Sequence, residues 1–390
     1  MLDNGKAEGV RKIRRFEKYC LKDIATVSQG FTFSRLYQGK KNLKWNYFKV
    51  ADIGLNPSSK YLTNAINTIS DITMEEIGAL PFPKGSIVFP RVGAALFNNN
   101  KKILAQDGVV DDNVLVLTVT DTSKCWYEFL YYYLQGIPLA KWCNSGLVPV
   151  INTKTVLSQM VFLPPLPEQQ KIATILSTQD KVIELKEKLL VQKQQQKKYL
   201  MQQLLTGKKR LPGFNGEWQF AKLENVSKYS ASAASFKTYE SHLGCGPYPV
   251  YDATGCFGNI DFYENEQPYI SIVKDGAGAG RVALCKAKSS TIGTLGCIFA
   301  NDIDLLYLFY WMSAVDFQIY SNGSTIPHVY YKDYKNVQVH LPCRLEQEAI
   351  VEILSTADHE IDLLQKSIEA EKQKKKALMQ LLITGKVRRK

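Results

Sequence analysis

The sequence predicts an α/β (α+β) chain in which two globular domains with mixed sheets are separated by two long helices. The helices are expected to pair as an antiparallel coiled coil, and the two halves to form a pseudo-twofold tandem repeat. Three observations carry this. Residues 163–208 and 341–386 align without a gap at a shift of 178, with half of the positions identical. Both stretches repeat apolar residues at seven-residue spacing, the signature of a coiled-coil seam. The regions before them alternate short β-branched and aromatic runs with Gly, Pro and Asn, as mixed sheets do.

The expected order is a basic N-terminal segment (1–18), a first globular domain (19–162), a first helical spacer (163–211), a second globular domain (212–340) and a second spacer (341–390). In the first domain TVSQGFTF, SIVFPRVG and NVLVLTV read as strands, and Trp126 to Leu134 as an aromatic-rich helix. YISIVK and RVALCKA read as strands in the second domain, with the matching helix at Leu305 to Met312. A largely antiparallel, curved sheet is expected in each. The shift of 178 also aligns these aromatic helices, but near the domain starts (Leu21 against Leu223) it becomes 202, so the first domain is longer by 24 residues.

Proline opens each long helix, at Pro164, Pro165 and Pro167 and again at Pro342. Gly207 and Gly385 close them, as glycines just past a helix end do. The first seam runs through Ile172, Leu176, Ile183, Leu190 and Leu204, the second through Ile350, Leu354, Ile361, Ile368 and Leu382. Lys197 and Lys375 interrupt it, and Gln179, Lys186 and Lys193 make the alternate seam position polar between apolar ends. Such a narrow stripe fits pairing of the two helices with each other, holding the globular domains at opposite ends. Polar seam positions weaken an isolated pair and leave room for further partners.

Composition removes several functions. The 390 residues are 45% hydrophobic and carry a formal net charge of +12. No run approaches the roughly 18 apolar residues of a membrane span, and the N-terminus lacks the apolar core of a secretory signal. A cytoplasmic location is expected. The eight cysteines include no CxxC pair and the four histidines no HExxH pair, so no metal site is expected. Charge is distributed as +3, +4, +6, −3 and +2 over the five segments above. That permits a polyanion partner without a polybasic tail.

No catalytic constellation is found. Asp275-Gly276-Ala277-Gly278-Ala279-Gly280-Arg281 follows a strand but precedes another strand, so it is a turn or a close-approach loop rather than a dinucleotide fingerprint. Its counterpart in the first domain is Phe89 to Gly93. Gly207-Lys208 and Gly385-Lys386 lack the rest of a phosphate-binding loop. Basic residues interleaved with aromatics and amides are better candidates, for DNA. In the first domain they are Lys40, Lys41, Lys44, Arg91, Asn98, Lys101 and Lys102; in the second Lys237, Lys274, Arg281, Asn322, Ser324 and Thr325. Arg and Lys pair with guanine edges, Asn with adenine, and all bind phosphate. Solvated loops are the plain alternative for each.

The layout, with Leu163-Pro164-Pro165-Leu166 and Glu168-Gln169 entering the helix and Leu204 to Lys208 leaving it, resembles the specificity subunit of type I restriction–modification systems. The echo at Leu341, Pro342, Glu346, Gln347 and Leu382 to Lys386, and the opening Leu211-Pro212-Gly213-Phe214 with Trp218, strengthen the resemblance. Two departures are Cys343-Arg344-Leu345 in the second helix start and a first domain without the LPGF–Trp opening. The resemblance implies two target recognition domains, each reading one half of a bipartite double-stranded DNA sequence across an undefined spacer. It implies helices that set the spacing and dock two methyltransferase subunits, with restriction subunits added. It implies no cofactor in this chain: S-adenosylmethionine belongs to the methyltransferase partner, ATP and Mg to the restriction partner. The dissimilar domains predict an asymmetric target. Rival readings are a specificity-like protein of another methylation system, a fused enzyme with its own catalysis, and a coiled-coil scaffold that binds no DNA.

Overall fold

A computed structural model describes residues 16–55, 59–144, 146, 148–323 and 326–384. The chain divides into two compact units, Met1–Lys188 with Lys366–Lys390, and Leu189–Gln365.

Unit 1 runs β1 (Glu17–Cys20), β2 (Ala25–Gln29), β3 (Trp45–Phe48), α1 (Val50–Gly54), β4 (Tyr61–Leu62), β5 (Asn67–Ile69), α2 (Asp71–Glu76) and β6 (Ile87–Pro90). It continues through β7 (Lys102–Leu104), β8 (Val109–Val110), β9 (Val114–Val119), α3 (Tyr127–Gln135), α4 (Thr153–Leu157) and β10 (Met160–Leu163) into α5 (Leu166–Leu204). The central sheet has the order β2-β9-β6-β7-β4, beside a smaller sheet β5-β3-β8 and the ribbon β1-β10. Pairing is mostly antiparallel, with β4–β7 and β3–β8 parallel.

Strand periodicity explains why two cores form. Side chains alternate across a strand, so Leu115 and Leu117 of β9 and Ile87 and Phe89 of β6 face one core, with Phe129 and Leu130 of α3. Their neighbours Val114, Val116 and Val88 face a second core, between the two sheets, with Phe48 and Val110. NVLVLTV is thus apolar on both faces, as a central strand must be.

Unit 2 begins in the second half of α5 and contains β11 (Gln219–Lys222), α6 (Leu223–Val226), β12 (Ser227–Ala231), α7 (Phe236–Glu240), β13 (Tyr248–Asp252), β14 (Gly255–Ile260), β15 (Tyr269–Val273), β16 (Val282–Cys285), β17 (Ser290–Thr291) and β18 (Leu295–Ala300). It closes with α8 (Leu305–Ala314), β19 (Ser321–Asn322), β20 (His328–Val329), α9 (Tyr331–Tyr334), β21 (Gln338–Leu341) and the first half of α10 (Arg344–Ile383). Its sheets β12-β18-β15-β16 and β14-β13-β17 with the ribbon β11-β21 repeat those of unit 1 minus β4, and a short pair β19-β20 is added. The ribbons pair Glu17 with Leu163 and Gln219 with Leu341, which reproduces both shifts, 202 and 178. Most of the extra length of unit 1 falls between β3 and β6: α1 and β4 fill that space, whereas β13 and β14 are joined by Ala253 and Thr254 alone.

Both long helices are present, and each lends one half to each unit. In unit 1 the start of α5 (Ile172, Leu176) and the end of α10 (Leu378, Leu382) pack on the same core. In unit 2 the end of α5 (Leu200, Leu204) meets the start of α10 (Ile350, Leu354). The pairing is therefore antiparallel. Seven seam residues, Ile172, Leu176, Ile183, Leu204, Ile350, Leu354 and Ile368, are buried, while Leu190, Ile361 and Leu382 are half-buried. The polar seam positions find partners on the facing helix. Gln179 donates to the Glu371 carboxylate at 2.7 Å, Lys186 reaches Glu371 at 2.9 Å, and Lys193 reaches Glu360 at 2.7 Å. Lys186 and Gln179 hold the Glu371 carboxyl down to about 2.

Candidate nucleic-acid interface

The glycine-rich turn and its counterpart in unit 1 have the same anchoring. After β6, Gly93 donates its N–H to the Pro149 carbonyl at 3.0 Å, and Ile151 donates to Arg91 O at 2.9 Å. After β15, Gly276 donates to Pro327 at 3.0 Å, and Val329 donates to Lys274 O at 2.8 Å. Gly93 and Gly276 both have positive φ, 80° and 95°, where a side chain is strained. Each unit therefore presents a basic residue, Arg91 or Lys274, where a central strand leaves the sheet, braced by a proline-containing loop. That loop carries Asn144 in unit 1 and Asn322 in unit 2. Asp275 adds a 2.7 Å contact to His328 in unit 2.

The remaining candidates divide by surroundings. Lys40 and Lys41 are exposed, with Lys40 Nζ 5.5 Å from the Tyr37 ring. Lys44 is exposed but bound to Asp71 at 2.8 Å, and Trp45 Nε1 donates to the same carboxylate at 2.7 Å. Asn98 is exposed at the end of a short 3-10 turn, beside Phe97, which is 68% exposed. Lys237 is exposed on α7, and Lys274 is half-buried. Arg281 is exposed, and its guanidinium donates to the Ala253 carbonyl. Asn322 donates to Asp333 at 3.0 Å. Ser324 and Thr325 lie outside the described residues, as do Gly385 and Lys386.

Lys101 and Lys102, expected in a basic surface loop, are inside the fold, 2% and 4% exposed. Lys101 Nζ donates to Asn99 Oδ1 at 2.7 Å and to the Ile137 carbonyl at 3.0 Å, and Asn99 Oδ1 also accepts from Leu139 N at 2.9 Å. Asn99 adopts φ 55°. Lys102 donates to the Ser59 carbonyl. Burial lowers both ammonium groups, Lys101 to about 7 and Lys102 to about 8. The reason is topological: Lys102 opens β7, inside the central sheet. Lys101 thus clamps the turn that carries Phe97 and Asn98 instead of contacting a ligand itself.

A second set of side chains, singled out by no motif chemistry, joins each domain to the helices. Gln169 accepts from Trp126 N at 2.8 Å and donates to the carbonyls of Lys124 and Pro164 at 2.7 and 2.8 Å. Gln347 accepts from Asp304 N at 2.9 Å and donates to Pro342 O at 2.9 Å. Each glutamine holds the residue that caps the start of an aromatic helix, Trp126 before α3 or Asp304 before α8. Glu346, 1% exposed, receives a two-pronged pair from Arg210 at 2.8 Å and the Trp218 indole at 3.0 Å. Trp218 also covers Gly207, where a Cβ would come within 3.3 Å of the ring. These contacts explain why Glu-Gln, Thr-Gly-Lys and the LPGF–Trp opening occur together.

A family model described as the type I restriction modification DNA specificity domain matches the chain twice, over residues 14–193 and 215–372. The chain belongs to that family. Members of the family serve DNA specificity and not catalysis, and this chain is a DNA-recognition subunit of the family's kind. It is 25% identical over 402 residues to a protein assigned as the type I restriction enzyme MjaX specificity subunit of Methanocaldococcus jannaschii, covering 94% of this chain and 92% of that one. The MjaVIII specificity subunit of the same organism is 26% identical over 281 residues, 62% of this chain and 65% of that one. Among solved structures, the type I S subunit from M. genitalium has the same fold, with a TM-score of 0.64 at 15% identity over 96% of this chain and 97% of that one. A chain from a type I complex, solved to explain assembly and conformational transition of the system, gives 0.58 at 14% identity over 95% and 97%. Among the described residues no group of three or more His, Cys, Asp or Glu is placed to hold a metal ion, and no helix is long and apolar enough to cross a membrane.

Proposed function

We propose that each unit reads one half of an asymmetric, split double-stranded DNA target, that the helix pair sets the spacer, and that two methyltransferase subunits dock on the helices. One observation carries the reading: a single scaffold occurs twice, with a half-buried basic residue at the matching position of each copy and unlike turns beside it. Arg91 and Lys274 follow equivalent strands, held by equivalent glycine–proline hydrogen bonds. The neighbouring turns differ, Phe97-Asn98 in one and glycine-rich in the other. Shared support with different contact residues is what two unlike half-sites require, since phosphate contacts position a reader and base contacts specify it. Lys40, Lys41, Arg91 and Asn98 are the proposed contacts of unit 1, and Lys237, Lys274 and Asn322 those of unit 2. Lys44 and Arg281 contribute if DNA displaces Asp71 and Ala253 from them; Ser324 and Thr325 are kept as proposed contacts of unit 2 on their sequence alone. The chain works in the cytoplasm beside methyltransferase and restriction subunits. S-adenosylmethionine is held by the former, ATP and Mg by the latter, and none by this chain.

Arg91→Ala and Lys274→Ala in the assembled complex test the reading. Each should relax or weaken one half-site only, by about 1–3 kcal/mol if a base edge is contacted. Methylation sequencing reports the half affected. Two variants that alter the same half, or neither, contradict it.

A further inference from the structure

The same three-residue contact occurs once in each unit, with every member displaced by 178. In unit 1, Lys375 of α10 meets Asp180 of α5 at 2.5 Å, and Tyr132 of α3 donates to that carboxylate at 2.6 Å. In unit 2, Lys197 of α5 meets Asp358 of α10 at 2.5 Å, and Tyr310 of α8 donates to it at 2.8 Å. Each lysine also lies over the tyrosine ring, Lys375 at 5.9 Å from Tyr132 and Lys197 at 5.4 Å from Tyr310. Lys197 and Lys375 are the two breaks in the apolar seam.

We infer that these two Lys–Asp–Tyr joints fix the register of α5 against α10, and through it the spacer length of the DNA target. The inference rests on the reading proposed above. The first recognition domain is tied to α5 by Gln169 and by Tyr132–Asp180, the second to α10 by Gln347 and by Tyr310–Asp358. Each domain is thus hydrogen-bonded through these groups to one helix while its core packs on both, and the two lysines, with Gln179, Lys186 and Lys193, connect one helix to the other. Apolar seam contacts are non-directional and repeat every heptad, so they tolerate a slip of seven residues. The joints do not. A slip one way sets Asp180 against Leu382 and Asp358 against Leu204; the other way, against Ile368 and Leu190. In either case both carboxylates lose their cations to an apolar neighbour, which is unfavourable above all for Asp180, whose side chain is only 12% exposed against 41% for Asp358. A polar seam residue that specifies register at a cost in stability is known coiled-coil physics. One heptad is about 10 Å of helix, or roughly three base-pair steps of about 3.4 Å.

The test replaces Lys197 and Lys375 together by Met in the full chain, assembled with its partner subunits, and maps methylated sites. The double variant is expected to keep both half-sites but to methylate more than one spacer length, with added spacers differing by roughly three base pairs. A single native spacer, methylated to the native extent, overturns the inference. If the Met variant is silent or does not accumulate, the exchanged pair Lys197→Asp with Asp358→Lys decides. Methylation restored at the one native spacer supports the joint, and silence there overturns it. Loss of half-site identity already in the unmodified chain is instead a failure of the underlying reading, so the two are separable.

Discussion

At the scale of single residues, burial decides what a charged side chain does. Lys101 reads in sequence as part of an Asn-rich basic loop, yet it is a clamp, because the strand it precedes is internal. Its pKa falls to about 7 on folding, whereas an unfolded lysine titrates near 10.4. Between those values the unfolded chain binds the extra proton, so stability rises with pH through that window and levels off below about 7. Replacing Lys101 by Met should remove that slope, at most about 1.4 kcal/mol per pH unit. Melting curves of variant and parent from pH 7 to 10 measure it, and parallel curves would contradict the assignment. Gln169→Ala leaves the N–H of Trp126 and the Pro164 carbonyl without their partner, at a cost of about 1–3 kcal/mol for each group left unsatisfied in the interior. Thermal melts should show the loss, and an unchanged midpoint would deny the glutamine its role. The Glu-Gln motif was visible in sequence, but its function was not. The amide acts on a backbone 43 residues earlier, and only the identity of Tyr, Asp, Lys and Gln at one shift hinted that they form a unit.

Among elements, the long helices and aromatic helices were legible because their periodicity and repeat are local properties of the chain. Sheet order was not, since β2 pairs with a strand some ninety residues away and β4 is two residues long. The polar seam was read as a weakness to be covered by other partners, whereas Gln179, Lys186 and Lys193 are matched across the pair. This matching gives the helices their predictive content. A change of one turn within residues 168–206 is expected to alter the spacer, because each residue is about 1.5 Å of helix. With joints near both ends of the pair, the cleaner form is a matched heptad insertion after Lys188 and after Gln365. The methylated motif should keep its half-sites and lengthen its spacer by roughly three base pairs. An unchanged spacer would refute the role of the helices.

For the molecule as a whole, the charge of +12 comes from the N-terminal segment, the first domain and the helices, the second domain being net −3. Binding by the assembled complex should therefore fall steeply with salt, the slope dropping by about one for each phosphate-contacting lysine removed. Lys40→Ala and Lys41→Ala are the variants to titrate, and a flat salt response would argue against extensive phosphate contact. The bases read in each half are not legible, because the contacts proposed for them, such as Asn98, have their partners outside the chain. The most direct measurement is a single-molecule methylation map of the host genome with this gene intact and deleted. The account predicts loss of one split, asymmetric adenine-methylation motif on deletion. Methylation that is unchanged while the partner subunits are expressed, or loss of a palindromic motif, would contradict it.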